Sequence, residues 1–126
     1  MHSYGDHDIL VQGQVVTLTT ASAFNGEGMK LAYRNLLTNT LDLGDWVLLI
    51  KGNGESGATP DALEQGAELS TLLPDIGCIG VVTLNRTLLM QDLAHHVFGP
   101  SGLPLCVTSD AVEAQAFIQE LLAPHD

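Results

Sequence analysis

Two hydrophobic periodicities alternate along the chain. Residues 8–11 and 15–19 are short β-rich runs joined through Gln12-Gly13-Gln14, which predicts an antiparallel hairpin. From Asn25, a natural N-cap, the period changes. Met29, Ala32, Tyr33, Leu36, Leu37 and Leu41 recur at helical spacing, whereas Lys30, Arg34 and Asn35 fall on other faces. The run Trp46-Val47-Leu48-Leu49-Ile50 has no polar alternation, as expected of a central strand covered on both faces.

A second helix is predicted from Pro60 to about Leu73, with Leu63, Ala67, Leu69, Leu72 and Leu73 as its apolar side. Pro74-Asp75 and Gly77 close it. Residues 78–84 form another continuous apolar strand. A third helix, from about Arg86 to Phe98, presents Leu89, Met90, Leu93, Val97 and Phe98 and stops at Gly99-Pro100. Residues 105–108 read as the last strand. Asp110 with Glu113 three residues on makes a capping-box-like start, and Ala114, Phe117, Ile118, Leu121 and Leu122 mark the inner face of a terminal helix.

The order ββαβαβαβα predicts an α/β fold with a single mixed, mostly parallel sheet of about five strands and four helices, joined by right-handed crossovers. No linker, repeat or low-complexity segment interrupts it, so one domain is expected over residues 8–122, with a flexible N-terminus (1–7) and a short C-terminal tail (123–126).

A chain of 126 residues with 45% hydrophobic content is large enough for a true core. Charge narrows the partners. Lys30, Arg34, Lys51 and Arg86 face fifteen acidic residues, and the resulting −11 repels nucleic acid and anionic membrane surfaces. No basic segment leads into an apolar run at the start, and no stretch approaches the ~20 apolar residues of a membrane span, so a cytoplasmic protein without membrane insertion is expected. Cys78 and Cys106 lie in apolar strand-like runs, the setting of buried, unreactive thiols rather than of a disulfide.

Candidate chemistry is concentrated after the central strand, where Gly52-Asn53-Gly54-Glu55-Ser56-Gly57 has the G-x-G-x-x-G spacing of a phosphate-cradling loop. In a dinucleotide-binding unit the last glycine lies inside the helix and an acid closes the next strand. Here the helix is predicted to start later, with Thr59 as N-cap and Pro60 at its first position, and the next strand runs into Asn85 and Arg86. The loop is therefore read as a strand-to-helix connection, with nucleotide binding a minor alternative.

Other chemistry is sparse. His95 and His96, being adjacent, point about 100° apart on a helix and cannot chelate from one face; one is expected exposed and the other partly packed. Met1-His2 and Asp6-His7-Asp8 suggest at most adventitious metal binding. Ser22, Ser56 and Ser109 could share a sheet edge but lack a placed base, and Glu55 and Asp61 read as solvated acids. No catalytic, cofactor or metal site is expected.

Residues that follow successive parallel strands gather on one edge. That edge carries Phe24, Asn25 and Gly26, then residues 55–61, then Asn85 and Arg86, then Ser109 and Asp110. The hairpin, central strand, loop and three following α/β units together resemble the STAS domain, the SpoIIAA-like fold of anti-sigma-factor antagonists, over residues 8–122. In that family a phosphorylatable Ser or Thr opens the helix after the loop. The matching stretch here is Thr59-Pro60-Asp61-Ala62-Leu63: Leu63 matches, whereas Pro60 and Asp61 occupy the hydroxyl positions, leaving Thr59 and Ser56 as phosphosite candidates and Asp61 as a fixed negative charge.

The resemblance implies a non-enzymatic regulatory or protein-interaction domain. Its partner surface would comprise Asn25, Glu55, Ser56, Thr59, Asp61, Asn85 and Arg86, bordered by Leu63, Glu64 and Ala67. The partner is expected to be a protein, with a second copy of the chain as one option. The alternative is an apolar small molecule or lipid in a pocket like that of CRAL-TRIO domains, to which the fold is related, with Leu88, Leu89, Met90, Val97 and Phe98 as candidate lining.

Overall fold

A computed structural model describes residues 7–20, 24–52, 59–85 and 87–123. Strands β1 (His7–Gln12) and β2 (Val15–Thr20) form the expected antiparallel hairpin. Its two-residue loop places Gly13 at φ +61°, the positive φ that a type II′ turn needs first. Helix α1 (Gly26–Thr40), strand β3 (Trp46–Gly52), helix α2 (Pro60–Ser70), strand β4 (Cys78–Leu84), helix α3 (Leu88–Phe98), strand β5 (Leu105–Thr108) and helix α4 (Ala111–Leu122) follow.

The sheet order is β1-β2-β3-β4-β5, parallel from β2 onward, with β3 at the centre. Each crossover steps one strand in the same direction, so right-handed connections put α1, α2 and α3 on one face. Helix α4 packs on the other, against β3, β4 and β5. This explains the unbroken apolar strands. Val16, Leu18, Trp46, Leu48 and Val81 pack under α1 and the α3 end, while the alternate residues Val47 and Val82 pack with Cys106, Ala114 and Ile118 under α4. Trp46 is fully buried, and its indole N–H donates to the Ile76 carbonyl at 2.9 Å. A bulge between Trp46 and Val47 in the β3–β4 register lets Cys78 and Val81 share one face.

Helix boundaries and inner faces differ from the sequence expectation in four places. Helix α1 stops at Thr40, whose hydroxyl donates to the Leu36 carbonyl at 2.8 Å from a buried position; Leu41, one residue on, is 71% exposed. Helix α2 stops at Ser70, and Leu73–Ile76 forms a separate 3-10 turn ending at Gly77 (φ +100°). The innermost positions of α2 are Ala62, Gly66 and Ser70, not its leucines, and Leu72 is exposed. A helix wedged between α1 and α3 needs small side chains there: a Cβ on Gly66 would lie 3.0 Å from Val97 Cγ1 and 3.5 Å from Met29 Cε. Helix α3 starts at Leu88, capped by Thr87, and leaves both Leu88 and Leu89 exposed.

The capping-box reading of α4 holds by half. Asp110 caps it, its carboxylate accepting from Val112 N–H at 2.9 Å, but the Asp110 N–H donates to the Thr108 hydroxyl rather than to Glu113.

Candidate functional site

The two helices that open the sheet edge are tied together at their first turns. Asn25 caps α1 by accepting from Gly28 N–H at 2.9 Å, and Thr59 caps α2 by accepting from Ala62 N–H at 3.3 Å. Both caps were legible from local chemistry. The tie between them was not. Asp61 Oδ2 accepts from the Gly26 N–H at 2.9 Å, Oδ1 accepts from the Thr59 hydroxyl, and the Thr59 N–H donates to the Phe24 carbonyl at 2.9 Å.

The Asp61 carboxylate thus sits where two helix N-termini converge, the place where oriented N–H groups favour an anion. The Thr59 hydroxyl first, then the Gly26 N–H, hold its carboxyl below the usual carboxylate range. A Cβ on Gly26 would lie 2.7 Å from Asp61 Oδ2 and would push the carboxylate from this position.

Asn85 follows β4 on the same edge and is buried. Its N–H donates to the Thr108 carbonyl at 2.9 Å and its carbonyl accepts from Gln91 Nε2 at 3.2 Å. Glu55, Ser56 and Arg86, with residues 1–6, 21–23 and 124–126, lie outside the described residues, as does most of the glycine loop. Of the bordering residues, Glu64 is exposed and Leu63 and Ala67 are half-buried.

Behind this edge, between the sheet and α1, α2 and α3, lies a cavity of about 130 Å³. Leu18, Ile50 and Thr83, in register across β2, β3 and β4, form its floor. Met29, Ala32, Leu63, Met90, Ala94, Val97 and Phe98 form its helical walls, with Phe24, Thr20, Gly52 and Asn85 toward the edge. Of the third-helix residues suggested as lining, Met90, Val97 and Phe98 are in the wall; Leu88 and Leu89 are at the exposed start of α3 and are not. Sequence reasoning missed Thr83 altogether, because a threonine in an apolar strand gives no signal of its own.

The remaining reactive groups are elsewhere. Both cysteines are free and buried; burial pushes the Cys78 thiol up to about 11, and burial with the neighbouring Glu113 carboxylate raises that of Cys106. His95 and His96 are both exposed, because the buried positions of that turn are taken by Ala94 and Val97. Among the described residues no three His, Cys, Asp or Glu side chains gather as metal ligands, and no helix is long and apolar enough to cross a membrane.

No protein-family model and no curated protein matches the chain. Among solved structures it is similar to an uncharacterized protein of the DUF3478 family with a SpoIIAA-like fold from Shewanella loihica PV-4. The TM-score is 0.65 at 13% sequence identity, covering 94% of this chain and 97% of that one. The chain has a SpoIIAA-like fold, as its element order and residue pattern led us to expect.

Proposed function

We propose that this SpoIIAA-like chain is a non-enzymatic, cytoplasmic regulatory domain of STAS type that binds a protein partner through the edge carrying Asn25, Glu55, Ser56, Thr59, Asp61, Asn85 and Arg86. The observation that carries the reading is the placement of Asp61. It ties the starts of α1 and α2 together, and by the family resemblance it would set a fixed negative charge where a STAS relative carries a removable phosphate. An edge so braced is preorganised, which lowers the ordering cost of binding. With a net charge of −11, the chain favours a partner that presents basic groups.

Thr59 acts in this scheme as cap and hydrogen-bond donor. A phosphate on its hydroxyl would replace the donor with an anion facing Asp61, so a kinase acting on this loop would be expected to use Ser56.

The test is capture of a partner from lysate by the wild type and by Glu64→Lys and Arg86→Glu. Both variants should lose the captured protein while stability changes by no more than ~0.5 kcal/mol, as for most surface substitutions. Glu120→Lys, on the exposed side of α4, should retain it. Retention by both edge variants together with loss in Glu120→Lys would place the contact on the other face.

A further inference from the structure

The sheet is covered unevenly on the side that carries α4. That helix packs on β3, β4 and β5, and its last turn lies over Gly80, where an added Cβ would run into Leu121. Val47, in register with Gly80, is fully buried there. Farther along the same face of β3 the cover gives out: Leu49 is half-buried and Lys51 is exposed. The hairpin extends past the helix, and Leu10 on this face is 55% exposed.

Two cross-strand rows make up the uncovered strip. Leu10, Thr17 and Leu49 are in register across β1, β2 and β3, and so are Asp8, Thr19 and Lys51. Strand β2 is the midline of both rows, with its flanking residues one strand spacing away on either side. The rows therefore read Leu-Thr-Leu and Asp-Thr-Lys about that line.

A two-fold axis along β2, midway between two stacked copies, exchanges β1 with β3. It sets Leu10 against Leu49 of the second copy and Asp8 against Lys51 of the second copy, with Thr17 and Thr19 on the axis. Apolar meets apolar and acid meets base, which is the self-complementarity an isologous contact requires. The chain as a whole carries −11, whereas Asp8 and Lys51 balance one another, so here two copies meet without opposing like charges.

We propose that two copies of this chain associate face to face through this strip, about a two-fold axis along β2. Sheets stacked in this way keep their strands roughly aligned. Strands β2, β3 and β4 of both copies then end on the same side, and the two edges proposed to bind a protein partner stand side by side, suited to a bivalent partner. The dimer rests on the strip alone, so it and the partner-binding reading can each fail without the other.

Sedimentation equilibrium of the full chain reads the assembly, at about 0.15 M salt, where exposed charges farther apart than roughly 8 Å are screened. The wild type should pass from the 13.4 kDa monomer to a dimer as its concentration rises through the micromolar range. Leu10→Asp should weaken association about tenfold, because it buries a charge without a partner. Asp8→Lys and Lys51→Asp should each weaken it about fivefold by opposing like charges, and the double swap should return it to within about twofold of wild type. Within one chain these positions are two strands apart, roughly 10 Å, so the restoration reports the contact between copies. Both lie at exposed positions and should fold as the wild type does, which keeps the test decisive whatever Leu10→Asp does to folding. Leu88→Asp, at the exposed start of α3, should leave the dimer intact. A monomer at every concentration up to millimolar would overturn the proposal. So would a dimer that survives Leu10→Asp or is lost in Leu88→Asp, and a double swap no tighter than the single variants would overturn the two-fold register.

Discussion

The Thr59 hydroxyl both accepts from Ala62 N–H and donates to Asp61, so removing it opens the cap and takes one hydrogen bond from the carboxylate that holds the Gly26 N–H. Thr59→Ala should lower stability by about 1 kcal/mol in urea melts, the usual cost of losing a threonine cap. The cap alone would lead one to expect tolerance of Thr59→Asp, because aspartate caps well. With Asp61 beside it, the aspartate faces a like charge and loses the donor, so Thr59→Asp should be less stable than Thr59→Asn.

Asp61 adds a pH dependence whose sign follows from its depressed folded-state pKa. Its contribution is fully present above the unfolded-state value, ~3.9, and is lost as pH falls below that through the lower folded value. The stability gap between wild type and Asp61→Asn should therefore be constant near neutral pH and shrink below about pH 4. A gap that widens on acidification would contradict the geometry.

Between elements, the junction of the 3-10 turn with β4 is tightly constrained. Gly77 has φ +100°, its carbonyl accepts from Trp46 N–H at 2.9 Å, and a Cβ there would run into the Gly44 carbonyl. Gly77→Ala combines a disfavoured backbone region with a backbone clash, and should cost roughly 2–3 kcal/mol, read as a lowered urea midpoint with unchanged slope. Gly99→Ala is the control, since a Cβ there meets nothing within 4 Å and its φ is −52°.

For the whole molecule, the late start of α2 decides how the glycine loop relates to a phosphate. Thr59 is the N-cap and Pro60 the first helical residue, so the last glycine of the motif precedes the helix instead of lying within it, and β4 leads into Asn85 with no acid for a ribose. At the start of α2 the Ala62 N–H is already taken by the Thr59 hydroxyl, and Asp61 places a negative charge in the first turn. Calorimetry with NAD, ATP and GTP should give no binding heat. A one-to-one complex of micromolar affinity with any of them would overturn that expectation and return the loop to the nucleotide class.

Element order, strand centrality and three of the helix caps were determined by the sequence itself, because periodicity and capping are local: Asn25, Thr59 and Asp110 each bond within three residues of themselves. What lies between elements was not local and needed the tertiary structure. Leucine spacing on α2 marked the correct general side, yet its seam is Ala62, Gly66 and Ser70, because only the arrival of α1 and α3 on both flanks makes small side chains the buried ones. Leu41, Leu72, Leu88 and Leu89 fit helical stripes by spacing but lie at or beyond helix ends, where no neighbour covers them. The Asp61 tie spans 35 residues to Gly26, and the cavity floor joins three strands, so both exist only once parallel crossovers have brought distant segments to one edge. Thr83 is the sharpest case: in the chain it is one β-branched residue among others, and only tertiary packing buries its hydroxyl without a partner among the described residues.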